Sequence, residues 1–388
     1  MPISTEKILP VLDLQRQYRQ IREEALAAIN RACDSQQLIL GPEVEALERE
    51  IAEFTGAENA VACASGTDAL WLALTAAGVK PGDGVVTTPF SFFASASSIV
   101  RAGAKPAFVD IDPQTLNLDT QKLKRRFITD KSVRNDKNGI RAVLPVHLYG
   151  QCADMETILQ IAEEHGAVVI EDAAQAIGAR RRDRRAGSMG VCAAFSFYPS
   201  KNLSAFGDAG IATTQDAECA ARMKRLRNHG SPERYLHTEF GWNARMDAIQ
   251  AAVLRVKLKH VEKWNQQRRE RAATYNRLFT DAGLTSTQSP ISLLKTSPDA
   301  THVFHQYVIR AARRDELRKF LLEKGIATEV YYPIPLHLQP VFAYLGYKKG
   351  DLPESERAAL EVLALPMFPE LTEEEQRLVV AGIADFYG

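Results

Sequence analysis

The sequence lacks any apolar run approaching the roughly 20 residues that cross a bilayer; runs such as "GAVVI" at 166 end after a few residues. The N-terminus, "MPISTEKILPVLDLQ", has no basic stretch followed by an apolar run and a small-residue cleavage site, so neither secretion nor membrane attachment is expected. Cysteine is scarce: five residues, at 33, 63, 152, 192 and 219, lie far apart with no CxxC pair. An odd, scattered set reads as reduced core thiols in a cytoplasmic protein. Excess charge is missing too. Lys and Arg total 48 and Asp and Glu total 48, so no global field draws the chain to nucleic acid or an anionic membrane. Repeats and low-complexity tracts are absent. What is present is 388 residues, 45% hydrophobic and 25% charged, enough for a large core and more than one domain.

Up to about residue 250, short apolar segments alternate with helical patterns. "NAVACAS" (59–65) runs into "GTDALWLALTAAG", and "DGVVTTP" (83–89) into "SASSIVRAGA". "KPAFVDID" (105–112), "RAVLPVHLYG" (141–150), "AVVIEDAA" (167–174), "CAAFSFY" (192–198) and "AGIATT" (209–214) follow as further strand candidates. Strands rich in Val, Ile and Ala, separated by helices, imply an α/β fold with a mostly parallel central sheet and helices on both faces. Ligands bind such sheets at the carboxyl ends of the strands. "SGTD", "TTPFSF", "VHLYG", "EDAAQA" and "YPSK" all fall there.

From Met246 to about Phe279 the apolar spacing predicts one long helix. Its basic residues Lys257, Lys259, Lys263, Arg268, Arg269 and Arg271, interrupted by Glu262 and Glu270, read as a solvated face. A smaller α/β unit follows, with "THVFHQYVIRA" and "IATEVYY" expected as strands and "RDELRKFLLEKG" as a helix. The expected division is a large domain, 1–250, with an N-terminal helical segment, and a second part, 251–388, holding the long linking helix and a small C-terminal domain.

Three stretches carry chemistry. "SGTDAL" follows a strand and opens a helix, whose free N–H groups and dipole suit an anion. Gly66 permits close approach and Thr67 adds a hydroxyl, although the same residues serve as an ordinary N-cap. "VVIEDAAQA" ends a buried strand on Glu171 and Asp172, a pair that either caps neighbouring helices or gives Asp172 a cationic partner such as a pyridinium N–H. Gln175 comes one helical turn later. "FSFYPSKNLSAFGDAG" sets Lys201 among aromatics and small residues. A lysine in an apolar pocket loses part of its affinity for a proton, which frees the amine to form an imine and to shuttle protons. An imine lysine with an aspartate on a pyridine nitrogen is the pairing of pyridoxal phosphate sites. "HVFH" at 302–305 is the one close histidine pair, and an alternating strand would part the two rings, so no metal is expected.

From "VLDLQRQY" at 11 to the C-terminus, the chain resembles the DegT-type nucleotide-sugar aminotransferases, which are fold-type I pyridoxal phosphate enzymes. The matching stretches run in order through "GPEVEALEREIAEFTGAENAVACASGTDALWLAL", "TPFSFFASASSIVRAGAKPAFVDID", "PVHLYGQ", "EDAAQAIGA", "FSFYPSKNLSAFGDAG", "RLRNHG", "GWNARMDAIQAA" and "YYPIPLHLQP". The resemblance implies pyridoxal 5′-phosphate, with its pyridoxamine form as intermediate, bound by Lys201 as a Schiff base. Asp172 is implied at the ring nitrogen, Gly66, Thr67 and Ser196 at the phosphate, and Phe92 on the ring face. Gln175 is implied near the ring hydroxyl or substrate. Asn243 is implied to reach the phosphate of a neighbouring subunit, which predicts a homodimer with composite active sites. Tyr198, Arg245, Tyr331 and His337 fall where members of the family meet sugar, nucleotide or amino donor.

"SAFGDAG" has Ser204 and Ala209 where glycines are usual in that family, and Gly84 stands where a glutamate is common. Tyr198 and Asp208 resemble members that aminate a 3-keto sugar; members acting on 4-keto sugars more often carry His and Glu at these places. The implied reaction moves an amino group from L-glutamate to C3 of a nucleotide-linked 3-keto hexose, a dTDP-linked 3-keto-6-deoxyhexose first, with UDP-linked 3-keto and then 4-keto sugars as alternatives. A sugar dehydratase of the same fold resembles a pattern with histidine in place of the lysine, and a non-catalytic regulatory relative would lose the lysine or aspartate; this chain keeps both.

Overall fold

The computed structural model describes residues 8–129, 139–286 and 288–388. Its principal sheet takes β1 (Asn59–Cys63), β2 (Gly84–Thr87), β3 (Lys105–Phe108), β4 (Ile140–Leu144) and β5 (Val168–Asp172) from the first part of the chain. After the two-residue strands β6 (Arg180–Arg181) and β7 (Arg184–Arg185), β8 (Cys192–Ser196) and β9 (Gly210–Thr214) complete it. The order is β1-β9-β8-β5-β4-β2-β3. β9 runs antiparallel to both neighbours, and every other neighbouring pair is parallel. The exception follows from chain length. Parallel neighbours need a crossover, whereas β8 and β9 are joined by a loop without a helix, which allows only an antiparallel return. That loop, residues 197–209, carries Lys201.

Successive residues of each strand face opposite layers. Val61, Val85 and Leu144 pack with Leu70, Leu72, Leu74, Ile99 and Met223 on one side. Ala62, Val86 and Val143 pack with Leu47, Ile51, Ile158, Ile161 and Leu254 on the other. Burial on both sides explains why these strands read as continuous apolar runs rather than alternating ones.

The long helix spans Ala248–Asp281, with the helix Leu14–Ser35 against it. It does not present a wholly solvated basic face. Lys257 and Arg268 are buried, because the helix is wedged between layers. The Lys257 Nζ donates to Ser204 Oγ at 2.8 Å, and Arg268 donates to the carbonyls of Phe304, His305 and Met367.

A second sheet joins β10 (Ile291–Leu293), β12 (Tyr307–Ala311) and β13 (Val362–Leu365), while β11 (Ala300–Thr301) pairs with β6. Its core includes Tyr275, Phe279, Leu317, Leu321, Val379 and Ile383. The start of the described chain is tied to this part: Leu9 N–H donates to the Gly325 carbonyl at 2.9 Å, and Met367 N–H to Val11 at 3.0 Å. Two expected strands need correction. In "THVFHQYVIRA", Thr301 ends β11 and the second sheet takes the chain only from Tyr307, because Phe304 adopts φ 41° and its N–H turns back to His302 Nδ1 at 2.9 Å. "IATEVYY" forms only isolated bridges, at Ile326 and Glu329.

Candidate active site

The carboxyl ends of β1, β5 and β8 open on one cavity of about 680 Å³. Gly66, Thr67, Phe92, Asp172, Gln175, Ser196, Tyr198, Lys201 and Tyr331 all line it. The cavity is built from strand ends, a helix start and one loop.

The helix Gly66–Ala76 starts directly after β1, and Ser65 caps it by accepting the Asp68 N–H at 3.1 Å. A β-carbon on Gly66 would lie 2.6 Å from the Ser196 Cβ, so only glycine lets this helix start sit against β8. The N–H groups of the first turn and the hydroxyls of Thr67 and Ser196 thus meet at one end of the cavity, which suits a phosphate.

At the end of β5 the adjacent carboxylates part. Glu171 is fully buried and spent on structure: it accepts from Gly187, Met189 and Gly190 N–H groups at 2.9, 2.7 and 2.8 Å and from His147 Nε2 at 2.9 Å. His147 Nδ1 accepts the Ala153 N–H at 3.1 Å, so the ring's hydrogen is on Nε2. Burial alone would push the Glu171 carboxyl up, but these donors outweigh it and the net direction is down. Asp172 faces the cavity instead. Burial pushes its carboxyl up, opposed by Ser95 Oγ at 2.6 Å, the Ala174 N–H at 3.2 Å and the Lys201 charge. The net direction is up, and a cation placed beside the carboxyl would bring it back down.

Lys201 lines the same cavity. Its N–H donates to the Tyr198 carbonyl at 2.8 Å, which fixes the turn shaped by Pro199. Burial lowers its ammonium to about 8, with Asp172 pulling the other way. About a tenth of the amine is therefore neutral at pH 7 and about half near pH 8.

Gln175 sits in a turn rather than a helix, and both ends of its amide have a partner. Its Oε1 accepts Tyr149 N–H at 2.6 Å and its Nε2 donates to Tyr332 OH at 3.0 Å. Phe92 is 58% exposed, with its ring 6.2 Å from that of Tyr332. Ser95 and Tyr332 were not legible as site residues: Ser95 meets Asp172 across 77 positions of sequence. His305, read as one of a parted strand pair, lines the cavity.

Three sequence candidates lie outside this lining. His337 is buried beside Glu356, with Nε2 3.1 Å from Oε1. Asn243 is exposed, and Arg245 donates to its Oδ1 at 3.1 Å and to Asn228 at 3.0 Å.

A half-buried lysine and a buried aspartate on the wall of one cavity beside a helix N-terminus, at the strand ends of a mostly parallel sheet, define an enzyme site of the imine-forming class. The chain belongs to the DegT/DnrJ/EryC1/StrS aminotransferase family, whose model matches residues 19–384. It is 52% identical over 379 residues to a protein of Geobacillus stearothermophilus named "Pleiotropic regulatory protein", covering 98% of both chains. It is 42% identical to the dTDP-3-amino-3,4,6-trideoxy-alpha-D-glucose transaminase of Streptomyces venezuelae, covering 97% of this chain and 96% of that one. A UDP-N-acetyl-3-dehydro-alpha-D-glucosamine 3-aminotransferase of Acidithiobacillus ferrooxidans is 41% identical, with 95% of each covered. Among solved structures, S. venezuelae DesV in complex with a ketimine intermediate superposes with a TM-score of 0.91 at 41% identity, covering 98% of this chain and 99% of that one. Bacillus subtilis NtdA with bound pyridoxamine phosphate gives 0.86 at 30% identity, covering 98% and 86%.

The cavity fits pyridoxal phosphate. The glycine-only contact at Gly66 leaves a cradle for its phosphate, and the buried Asp172 matches a protonated ring nitrogen.

Proposed function

We propose that this chain transfers an amino group from L-glutamate to C3 of a nucleotide-linked 3-keto hexose, a dTDP-linked 3-keto-6-deoxyhexose first. The observation that carries the reading is the juxtaposition of Lys201 and Asp172 on the wall of one cavity at the strand ends. The curated relatives named for 3-amino products on dTDP and UDP sugars support the 3-position, as do Tyr198 and Asp208, both on the cavity wall. UDP-linked 3-keto sugars are the next substrates to try, and 4-keto sugars after them.

Bound here, pyridoxal phosphate supplies a carbonyl carbon that exchanges amino groups and a ring that withdraws electrons. The residues do the rest. Gly66, Thr67 and Ser196 would hold its phosphate, Phe92 would cover a ring face, and Asp172 would keep the proton on the ring nitrogen. The Lys201 amine, neutral in part near pH 8, moves the proton at the reacting carbon. Tyr198 and Tyr331 meet the sugar nucleotide, whose remote contacts orient it.

Asn243 and Arg245 belong to a second copy's site in this reading. Their place outside their own cavity supports it, as does the exposed apolar run nearby, with Tyr235 82%, Phe240 99% and Trp242 55% exposed. The seven-stranded sheet and the β10-β12-β13 sheet support a division into 1–250 and 251–388, with the β6–β11 pairing and the Leu9–Gly325 contact joining the two parts.

The relative bearing a regulatory name raises a second reading, a protein that keeps the fold without turnover. One assay separates them. The cofactor-loaded chain given glutamate alone should release 2-oxoglutarate stoichiometrically; no release from a fully loaded protein contradicts the catalytic reading.

A further inference from the structure

Asn202, next to Lys201, has fixed polarity. Its Nδ2 donates to Asn265 Oδ1 at 2.8 Å and to the Val303 carbonyl at 3.0 Å, so its Oδ1 can only accept. Asn265 is fixed in turn, because its Nδ2 donates to the Ile177 carbonyl at 2.9 Å. His305 Nδ1 lies 3.3 Å from Asn202 Oδ1, so Nδ1 carries the hydrogen and Nε2 keeps its lone pair. The ring is buried, yet it lines the same cavity as Lys201. Burial first, then the charges of Lys201, Arg268 and His302, hold the imidazole well below its usual range, so it stays neutral. The reaction as derived gives this ring no task.

We propose that His305 is a positioning residue for Lys201: its Nε2 lone pair accepts a hydrogen bond from the Nζ amine and turns that nitrogen toward the reacting carbon. The inference rests on Lys201 as the amine that moves the proton. The flexible four-carbon stem of Lys201 leaves Nζ free to take this partner, and the relay through Asn202 and Asn265 to the backbone holds the ring in place. A neutral acceptor suits the task, because it orients the amine without competing for its proton.

The test uses the whole chain. In wild type, ¹⁵N-histidine NMR should show His305 with a protonated Nδ1 and a bare Nε2 across the neutral range; a protonated Nε2 overturns the proposal. His305→Asn keeps a donor for Asn202 and removes the acceptor, whereas His305→Gln returns an amide oxygen near Nε2. In the cofactor-free proteins, the pH dependence of amine labelling at the Lys201 peptide reads that lysine directly. Losing an acceptor destabilises an ammonium, so His305→Asn should lower its apparent pKa by about one unit, with recovery in His305→Gln. In the loaded proteins kcat should fall about 10-fold or more with KM little changed. A wild-type Lys201 titration and kcat in His305→Asn overturn the proposal, as does a loss confined to the KM for sugar nucleotide. An active enzyme with an unmoved titration sinks this inference alone; a shifted titration in a chain that never transaminates sinks only the functional reading.

Discussion

Gly66 and Ser196 are in such close contact that a β-carbon on the glycine would come within 2.6 Å of the Ser196 Cβ and 3.1 Å of its Cα. Two chain segments 130 positions apart, the start of one helix and the end of β8, meet at the cavity wall through this contact. Gly66→Ala should therefore push the helix start from the strand. The expected result is a folded protein, destabilised by about 1–3 kcal/mol, with cofactor affinity reduced about 100-fold in reconstitution titrations. Affinity within a factor of two of wild type would show that the cradle lies elsewhere.

Lys201 and Asp172 should fail differently. Borohydride treatment of the yellow, loaded protein should fix the cofactor on the Lys201 peptide. Lys201→Ala should abolish turnover, and Asp172→Asn should bind cofactor while losing about 100-fold or more in kcat, because a neutral amide cannot hold the ring nitrogen protonated. Wild-type turnover in Asp172→Asn would assign the role to the wrong carboxylate.

Much of this pair was legible in the sequence because it rests on local signals. An apolar strand ending on acids and a lysine flanked by Tyr, Pro and Gly mark strand ends and a turn without knowledge of the fold. What was not legible depends on long-range contact. Nothing local distinguishes Glu171 from Asp172 until the loop 187–190 and His147 claim the first. Ser95, Tyr332 and His305 reach the cavity only through packing. His305 was misplaced because one left-handed residue, Phe304, interrupts an alternating pattern that otherwise reads as strand.

Lys257 gives a stability prediction with a definite sign. Burial lowers its ammonium from 10.5 to about 8, and Ser204 is its one hydrogen-bond partner among the described residues. Between pH 10.5 and about 8 the unfolded chain takes up a proton that the folded chain does not. Its contribution to stability therefore falls as pH falls through that window, and the penalty is fully present below it. Lys257→Met should stabilise the protein at pH 7 by about 2 kcal/mol in denaturant titrations, with the gain shrinking as pH rises. A destabilised variant, or a gain independent of pH, would contradict the assignment.

Mixed subunits test the composite site. Asn243→Ala and Lys201→Ala proteins should each be inactive or nearly so, and re-equilibrating them together should restore activity through heterodimers with one intact site. No recovery in mixtures that demonstrably exchange subunits would place Asn243 in a structural role.

Amino transfer to C3 of a nucleotide-linked keto sugar at the Lys201 site can be read from one spectrum. The purified protein is converted with glutamate to its pyridoxamine form and offered dTDP- and UDP-linked 3-keto and 4-keto hexoses, with the unlinked sugars as controls. Visible absorption should return with a nucleotide-linked 3-keto sugar, fastest with a dTDP-linked 6-deoxy form, and far more slowly with the unlinked sugar. Return of the absorption with 4-keto sugars alone, or equal rates with unlinked sugar, would contradict it.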